Sequence, residues 1–388
     1  MSPALAAALV ASLACAASAE NIGVTAAPVL QLPVGARAMG MGSAFTGLAD
    51  DLSALHYNPA GLSVMPWREA SFMYLKGFED QSIQHMSLGG PIPFPGLIGE
   101  GFTALGGSLL MASHGDIEIN RLNSNGSLAG TDSREAGSDM VATLGYSERV
   151  AVFEIPVKQD SVRLEHSMGA AGKFIRSTLA ETYTASTFAG DVGYLVRAPD
   201  QGVGFGFAVQ NIGSKLTFIS EGDPLPLTYR AGFSWKPHLP DTMTLPARQE
   251  MTVVGDAYYL ARERAARGLI GLEYTAMKAW AARFGYRLND AVAGFTVGFG
   301  GAWGPLSMDY AWGMTDSLTD THRFTFTYKF GRLSEREREK KRKPFIESMP
   351  EREDLKGIDE RKPDMIDQPA RPRREVPENR KSAPGWIY

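Results

Sequence analysis

The sequence predicts an all-β protein, a transmembrane antiparallel β-barrel of about 14 strands with an N-terminal plug (hatch) in its lumen and a disordered C-terminal tail. Segments of about ten residues, in which large apolar side chains alternate with small or polar ones, recur along the chain, which is the period of a membrane barrel. Beyond the first 19 residues there is no run of about 18 apolar residues, so a spanning helix is excluded and only a closed barrel would cross a membrane. Residues 34–63 are too apolar for an exposed loop and too rich in Gly and Ala for a regular element, which indicates a compact plug.

Composition divides the 388 residues into four parts. We expect a signal peptide at 1–19, a plug at 20–66, a barrel at 67–331 and a charged, Pro-rich tail at 332–388. The formal net charge of −4 conceals an uneven distribution, because the chain after Gly331 is dense in Lys, Arg, Glu and Asp while the rest is comparatively charge-poor.

The N-terminus has the pattern of a secretory signal. Met1–Ala19 has an Ala- and Leu-rich core and ends in a small-x-small motif before Glu20, although a positive first region is missing. Lipoprotein cleavage before Cys15 is disfavoured because Ser12, three residues earlier, is not aliphatic. Cys15 is the sole cysteine, so ordinary cleavage leaves a mature chain without disulfides or Cys-bound metals.

Glycines and one Asn-Pro pair organise the plug. Four glycines between residues 35 and 47 permit tight turns and close approach to other chain. Asp50 and Asp51 stand where they would cap a short helical run at 52–57, and Asn58-Pro59 would end it, since the residue before proline is driven out of the α region.

The barrel prediction rests on 14 alternating segments. In the clearest, residues 202–209, Val and Phe at odd positions alternate with Gly and Ala at even positions, which suits a wall with lipid outside and a crowded lumen inside. A phosphate-binding loop is disfavoured here because no helix follows. Residues 115–137 are expected to form a polar loop. The predicted strands are 70–78, 82–90, 102–114, 138–150, 162–176, 186–196, 202–210, 227–235, 251–260, 267–274, 278–287, 291–300, 308–312 and 322–330.

The tail contrasts with the barrel. Residues 332–343 are charged enough for a short solvated helix, and the prolines beyond them, with low hydrophobicity, predict disorder. A barrel with an even number of strands that begins at the periplasmic side also ends there. We therefore expect the tail to lie in the periplasm and to act as a solvated spacer. A sharper hypothesis has Gly385–Tyr388 contacting a periplasmic partner.

No catalytic or cofactor-binding constellation is found. The six histidines are scattered singly, without metal-ligand spacing, so we expect no enzyme activity, no metal and no cofactor. Asp50 and Asp51, as sequence neighbours, point apart and suit hydrogen bonding inside the plug better than catalysis. Arg37 is expected to pair with them, because a buried charge needs a partner. The barrel lacks the basic, aromatic-interleaved surface of a nucleic-acid binder.

Three strings of the plug, Gly35–Gly42, Ala49–Asp51 and Asn58–Leu62, resemble the N-terminal segment of the PorV/PorQ family of outer-membrane proteins, relatives of the FadL-type (OMPP1-like) channels. Further similar strings are Pro226-Leu227 at the start of a strand, Gly271–Tyr274, Arg283–Tyr286, Asp309–Ala311 and Thr321–Arg323. The resemblance implies an outer-membrane location and a lumenal hatch. The residues that carry the expected hatch are Arg37, Gly40, Gly42, Asp50, Asp51, Asn58, Pro59, Ala60 and Gly61.

Two functions remain open at this point. The resemblance implies either a type IX secretion-associated scaffold or shuttle that binds exported proteins and secretion-system components, which we expect first, or a FadL-like transporter of hydrophobic small molecules. Besides outer-membrane lipid, the partner is therefore an exported protein or a hydrophobic ligand. A soluble β-sandwich would explain the strands but not the plug.

Overall fold

A computed structural model describes residues 23–77, 80–99, 101–157, 160–239, 249–289, 294–314 and 320–332. The expected signal peptide and the expected tail beyond Arg332 lie outside the described residues.

The described chain is almost entirely β-structure. Its two short helices are α1 (Ala36–Gly40) and α2 (Ala54–Tyr57), and its 3-10 turns are Pro28–Gln31, Pro59–Val64 and Pro199–Gln201. The strands are β1 (Arg68–Lys76), β2 (Ser82–Ile92), β3 (Thr103–Ser113), β4 (Asp116–Leu122), β5 (Leu128–Glu135), β6 (Gly137–Val157), β7 (Asp160–Leu179), β8 (Tyr183–Ala198), β9 (Val203–Gly213), β10 (Leu216–Thr217), β11 (Gly222–Asp223), β12 (Thr228–Trp235), β13 (Glu250–Leu260), β14 (Ala265–Ala276), β15 (Trp280–Leu288), β16 (Phe295–Trp303), β17 (Leu306–Gly313) and β18 (Thr321–Phe330).

Fourteen of these strands close into one antiparallel barrel in the order β1-β18-β17-β16-β15-β14-β13-β12-β9-β8-β7-β6-β3-β2. The seam pairs β1 with β18 from Arg68↔Phe330 to Lys76↔His322. The prediction of about 14 barrel strands is confirmed, and each predicted segment corresponds to one barrel strand. We call the end where β1 begins and β18 ends the lower end, and the opposite end the upper end.

Two predicted boundaries are wrong. The polar segment 115–137 is not an open loop but contains the ribbon β4–β5, whose strands pair only with each other. None of the residues in its two strands is buried, so no buried face marks the strands in the sequence. Strand β6 also extends well beyond the predicted end at 150, to Val157, where it pairs with the start of β7 at Asp160.

The wall has the expected two faces. On β9, Phe205 and Phe207 are about half exposed on the outside, while Gly204 and Gly206 face the lumen against the plug. Large apolar side chains on other strands, including Leu144, Phe188 and Phe284, form the same exposed outer band. An apolar outer band is the feature that lets a closed barrel sit in lipid.

Among the described residues, no helix is long and apolar enough to cross a membrane.

Replacing Phe207 by Arg tests the lipid-facing assignment. We expect the free energy of unfolding in liposomes to fall by about 2–4 kcal/mol, the cost of a cation on the lipid face near the bilayer midplane. Urea titration followed by heat-modifiable gel migration measures it. Leu128→Arg, on the exposed β5 ribbon, is the matched control and should change little; equal losses would contradict the assignment.

Candidate functional site: the plugged lumen

The plug fills the barrel at mid-height. Phe45, Tyr57, Asn58 and Ala60 are completely buried. The helix α2 begins after Ser53, later than the expected run from residue 52, and no side chain caps its N-terminus. Asp51 instead accepts a hydrogen bond from the backbone N–H of Ser53 at 2.8 Å, and so shapes the preceding turn.

The Asn58-Pro59 corner lies inside the cylinder. Asn58 has the extended φ of −157° that a following proline favours, and it ends α2. Its Nδ2 donates to the carbonyls of Thr46 and Tyr194, at 3.0 and 3.1 Å. Its Oδ1 accepts from the N–H of Ala60 at 3.2 Å. One side chain thus joins two turns of the plug to strand β8.

A belt of inward-facing glycines surrounds the plug. A Cβ at Gly169 would lie 2.5 Å from the Ala60 nitrogen, and one at Gly206 only 2.0 Å from the Thr46 carbonyl oxygen. The plug backbone therefore lies directly against the wall backbone, which side chains would prevent. The belt glycines that approach the plug are Gly89, Gly106, Gly145, Gly169, Gly193, Gly204, Gly206, Gly232, Gly271, Gly285 and Gly298.

The predicted plug glycines take part in the same contact. Gly42 has a φ of +67°, and a Cβ there would lie 2.8 Å from the Ile270 carbonyl oxygen. Gly40 faces the backbone of Gly298, and Gly61 packs on the carbonyl oxygen of Ala49 within the plug. These positions require glycine because backbone occupies the space a side chain would take.

Below the belt, an ionic network begins at Arg37. Its Nη1 lies 2.6 Å from Asp50 Oδ1 and 3.0 Å from Asp51 Oδ2, the pairing suggested by the sequence. Lys236 Nζ approaches Asp50 Oδ2 at 3.2 Å. Burial by itself raises the pKa of the Asp50 carboxyl, but the charges of Arg37 and Lys236 hold that pKa well below its usual range.

The network continues into the barrel wall through residues whose roles the sequence did not reveal. Arg37 makes a two-pronged contact with Glu273, with both N···O distances 2.9 Å. Glu273 Oε2 also accepts from Arg283 Nε at 2.7 Å, and Arg283 Nη1 lies 2.7 Å from Asp309 Oδ1. Plug and wall are thereby linked by alternating charges, which border a polar cavity of about 490 Å³ at the lower end.

Two further wall residues form hydrogen bonds with the backbone of the plug. Asp256 Oδ2 accepts from the N–H groups of Phe45 and Thr46, at 2.9 and 2.8 Å. Gln210 Nε2 donates to the carbonyls of His56 and Tyr57. Both residues satisfy backbone groups that would otherwise be buried without partners.

Above the belt, half of the lumen is apolar. The plug segment 27–34, including Val29 and Leu30, lies there against inward side chains of strands β1, β2, β3, β6, β7 and β8. We call this region the apolar chamber. Its wall residues are Met73, Leu75, Ile83, Leu110, Ala112, Val141, Ile175, Ala185, Leu216 and Leu225.

The other half of the upper lumen is basic. Arg230 on β12 and Arg323 on β18 are more than nine-tenths buried. The Arg230 guanidinium lies over the rings of Tyr57 and Tyr258, with centroid distances of 5.3 and 4.5 Å. Within the part of the chain that the structure describes, neither arginine has a carboxylate within salt-bridge distance. The upper lumen therefore combines an apolar wall with a cationic one.

The barrel wall is interrupted beside the apolar chamber. The β9–β12 ladder stops at Gln210↔Thr228, whereas the β8–β9 ladder continues to Ala189↔Gly213. The connection 214–227 occupies this gap, and its Leu216 and Leu225 belong to the chamber wall. A cavity of about 310 Å³, lined in part by Asn211, Leu225 and Arg262, lies at the gap.

Within the described ranges, no group of three or more His, Cys, Asp or Glu side chains has an arrangement suited to a metal ion.

Comparison with known proteins supports the fold assignment. The model of an uncharacterised protein family (UPF0164) matches residues 4–96. The deltaS2 mutant of the monoaromatic hydrocarbon channel TodX aligns over 78% of this chain and 99% of its own, with 14% identity and a TM-score of 0.50. The deltaS2S3 mutant of TodX aligns over 76% of this chain and 98% of its own, with 11% identity and a TM-score of 0.46. A FadL homologue of Pseudomonas aeruginosa aligns over 76% of this chain and 97% of its own, with 12% identity and a TM-score of 0.39. No curated protein sequence matches the chain.

The fold is therefore that of an outer-membrane β-barrel, similar to the hydrocarbon channel TodX. The comparisons do not distinguish a PorV/PorQ relationship within this architecture.

The glycine belt predicts a large effect for one added methyl group. Gly169→Ala should lower the free energy of unfolding by about 1–3 kcal/mol, as overpacking does, because its Cβ meets backbone of the plug. Gly172→Ala, in the same strand but with open space around its Cβ, is the matched control. Urea unfolding in detergent compares them, and equal stabilities would refute the close backbone contact.

Arg37→Ala should destabilise the barrel by roughly 3 kcal/mol, because it leaves Glu273 and Asp50 without their shared cation. We also expect a raised ion conductance in planar bilayers, since the plug loses a tie to the wall. Lys76→Ala, which removes only the exposed Lys76–Asp80 pair, is the control. If Arg37→Ala and the double change of Asp50 and Asp51 to Asn leave both stability and conductance unaltered, the network does not hold the plug.

Proposed function

We propose that the protein is a non-enzymatic outer-membrane barrel that takes hydrophobic small molecules into the apolar chamber. The proposal rests on one observation above all: one half of the upper lumen holds a cluster of inward apolar side chains around Val29 and Leu30, although His85 and Lys173 also border it. Aqueous channels of this architecture have polar interiors instead.

The plug favours the passage of apolar solutes, because it blocks an aqueous channel through the barrel. The belt leaves the backbone of plug and wall in direct contact, so a continuous aqueous channel through mid-height would require the plug to move. The chamber is filled by the chain's own Val29 and Leu30, side chains that a hydrophobic ligand of similar size would replace. The enclosed space left beside these residues is small, about 20 Å³, so ligand entry requires segment 27–34 to shift.

The interrupted wall supplies a side path to the chamber. Because β9 lacks β12 as a partner above Gln210, movement of the connection 214–227 would open the chamber without breaking that ladder. The buried Lys173–Asp191 ion pair (2.7 Å) and the Asp191–Asn211 hydrogen bond hold the strands beside this gap. The basic wall, with Arg230 and Arg323, would favour ligands that carry a negative or electron-rich group.

The similarity to TodX supports the same class of ligand, since that protein's name describes a monoaromatic hydrocarbon channel. We therefore place hydrophobic compounds ahead of exported proteins as the ligand.

A secretion-associated scaffold of PorV type remains the second candidate. The observation that favours it is the ribbon β4–β5, which stands at the upper end with Leu122 and Leu128 two-thirds and three-fifths exposed. Such a ribbon offers an apolar surface to an exported protein.

We also propose an orientation. The longest connection between barrel strands, 114–136, lies at the upper end, and in barrels of this kind the longer loops are extracellular. The lower end then faces the periplasm, and the tail that follows Arg332 begins there.

Binding of toluene and of an apolar fluorescent probe to the full protein in liposomes tests the transport proposal. The double variant Val29→Ala/Leu30→Ala should bind the probe several-fold more tightly, because it partly empties the chamber. Ile175→Arg, which puts a charge in the chamber wall, should abolish binding. Leu128→Arg, on the ribbon, is the control and should bind as the unmodified protein does.

Two outcomes would contradict the proposal. One is probe binding that is unchanged in both chamber variants while the barrel remains folded. The other is uptake of labelled toluene by cells that is the same with and without the protein. Loss of a bound exported protein on Leu122→Asp/Leu128→Asp, with unchanged toluene uptake, would favour the scaffold.

A further inference from the structure

The connection between β2 and β3 contains a short loop, residues 93–99, at the lower end of the barrel. Its backbone N–H groups at Leu97, Ile98 and Gly99 donate to the carboxylate of Glu148, at 2.5, 2.9 and 2.7 Å. Tyr146 Oη donates to the same carboxylate. Thr103 Oγ1 donates to the carbonyl of Phe94 at 2.6 Å, which fixes the other end of the loop.

Glu148 lies on the outer face of the barrel wall. On β6, Gly145 and Ser147 face the plug: a Cβ at Gly145 would meet Leu55, and Ser147 Oγ donates to the Ala60 carbonyl at 2.7 Å. The alternating residues Leu144, Tyr146 and Glu148 therefore point outward. Leu144 is 69% exposed, but Glu148 is only 1% exposed because the loop covers it.

The loop stabilises the Glu148 carboxylate on the outer face and at the same time presents an apolar surface. A carboxylate on the lipid-facing side is costly unless hydrogen bonds satisfy it, and three backbone N–H groups and a hydroxyl do so here. The loop that provides them presents three large apolar side chains outward: Phe94, Leu97 and Ile98 are 65%, 85% and 74% exposed. They are held in place and contact little of their own chain.

The surface is continuous with the lipid-facing band. Met168, opposite Glu148 on β7, is outward and 44% exposed, and Leu144, four residues higher on β6, is outward and 69% exposed. On another part of the lower rim, Trp280 and Trp303 stack edge to face and are also half exposed. Tryptophans at this level mark the membrane–water interface of barrels.

We propose that residues 93–99 form an interfacial anchor that inserts Phe94, Leu97 and Ile98 into the lower leaflet of the bilayer, with Glu148 as the latch that holds the loop in its inserting shape. The occupant of this surface is lipid, because the side chains project from the outer face and extend the apolar band. The inference rests on the membrane location of the barrel, not on which ligand it carries.

Site-directed spin labelling of the full protein in liposomes tests the anchor. Cys15 is the sole cysteine, so Leu97→Cys in a Cys15→Ser background gives one labelled position. Collision rates with oxygen, which partitions into lipid, and with a water-soluble nickel complex report the environment. We expect an oxygen-to-nickel ratio at position 97 that is several-fold above that at Leu128→Cys and below that at Phe207→Cys, which lies nearer the bilayer midplane.

The controls separate this proposal from the membrane assignment itself. A water-like ratio at position 97, with a lipid-like ratio at position 207, overturns the anchor, whether the loop is bare or covered by a protein. A water-like ratio at position 207 instead overturns the membrane location. Adding Glu148→Ala should lower the ratio at position 97 while leaving position 207 unchanged; an unaltered ratio overturns the role of Glu148 as the latch.

Discussion

The structure depends on direct contact between the backbone of the plug and the backbone of the barrel wall. Glycines supply this contact on both sides, and the plug residues between them are buried. Each buried peptide group then needs a partner in the protein. Asn58, Gln210 and Asp256 provide partners for the turns of the plug, so the same few side chains position the segment and neutralise its polarity.

Three levels of the lumen follow from that contact. Below the belt, Arg37 and its carboxylate partners border a polar cavity open to ions and water. At the belt, the plug separates the two halves. Above it, the apolar chamber faces a cationic wall containing Arg230 and Arg323. An interior that changes character along its axis is unsuited to free diffusion of hydrated solutes and suits a molecule that leaves water before it reaches the plug.

The alternation of large apolar with small or polar side chains, together with the glycine content, predicted the fold. Within each strand this alternation shows which side chains face lipid. The Asn58-Pro59 corner was recognisable for the same reason: its geometry is set by adjacent residues. The Glu273–Arg283–Asp309 chain was not, since its members come together only through strand register. The sequence did contain a clue to these three residues. Each is a charged residue within a short segment that resembles the PorV/PorQ family, at a strand position that faces the lumen. The β4–β5 ribbon was missed because both of its faces are wet.

The route of the chain through the plug has a consequence for biogenesis. The plug leaves the ribosome before any strand, yet some of the groups that secure it come from the last strands of the barrel: the N–H of Ala36 donates to Thr325 on β18, and Arg37 pairs with Glu273 on β14. The first segment of the chain is therefore held in place by strands made last, so the seating of the plug and the closure of the β1–β18 seam depend on each other. An assembly machine that handled this polypeptide would have to shelter its first segment until the final hairpin arrived.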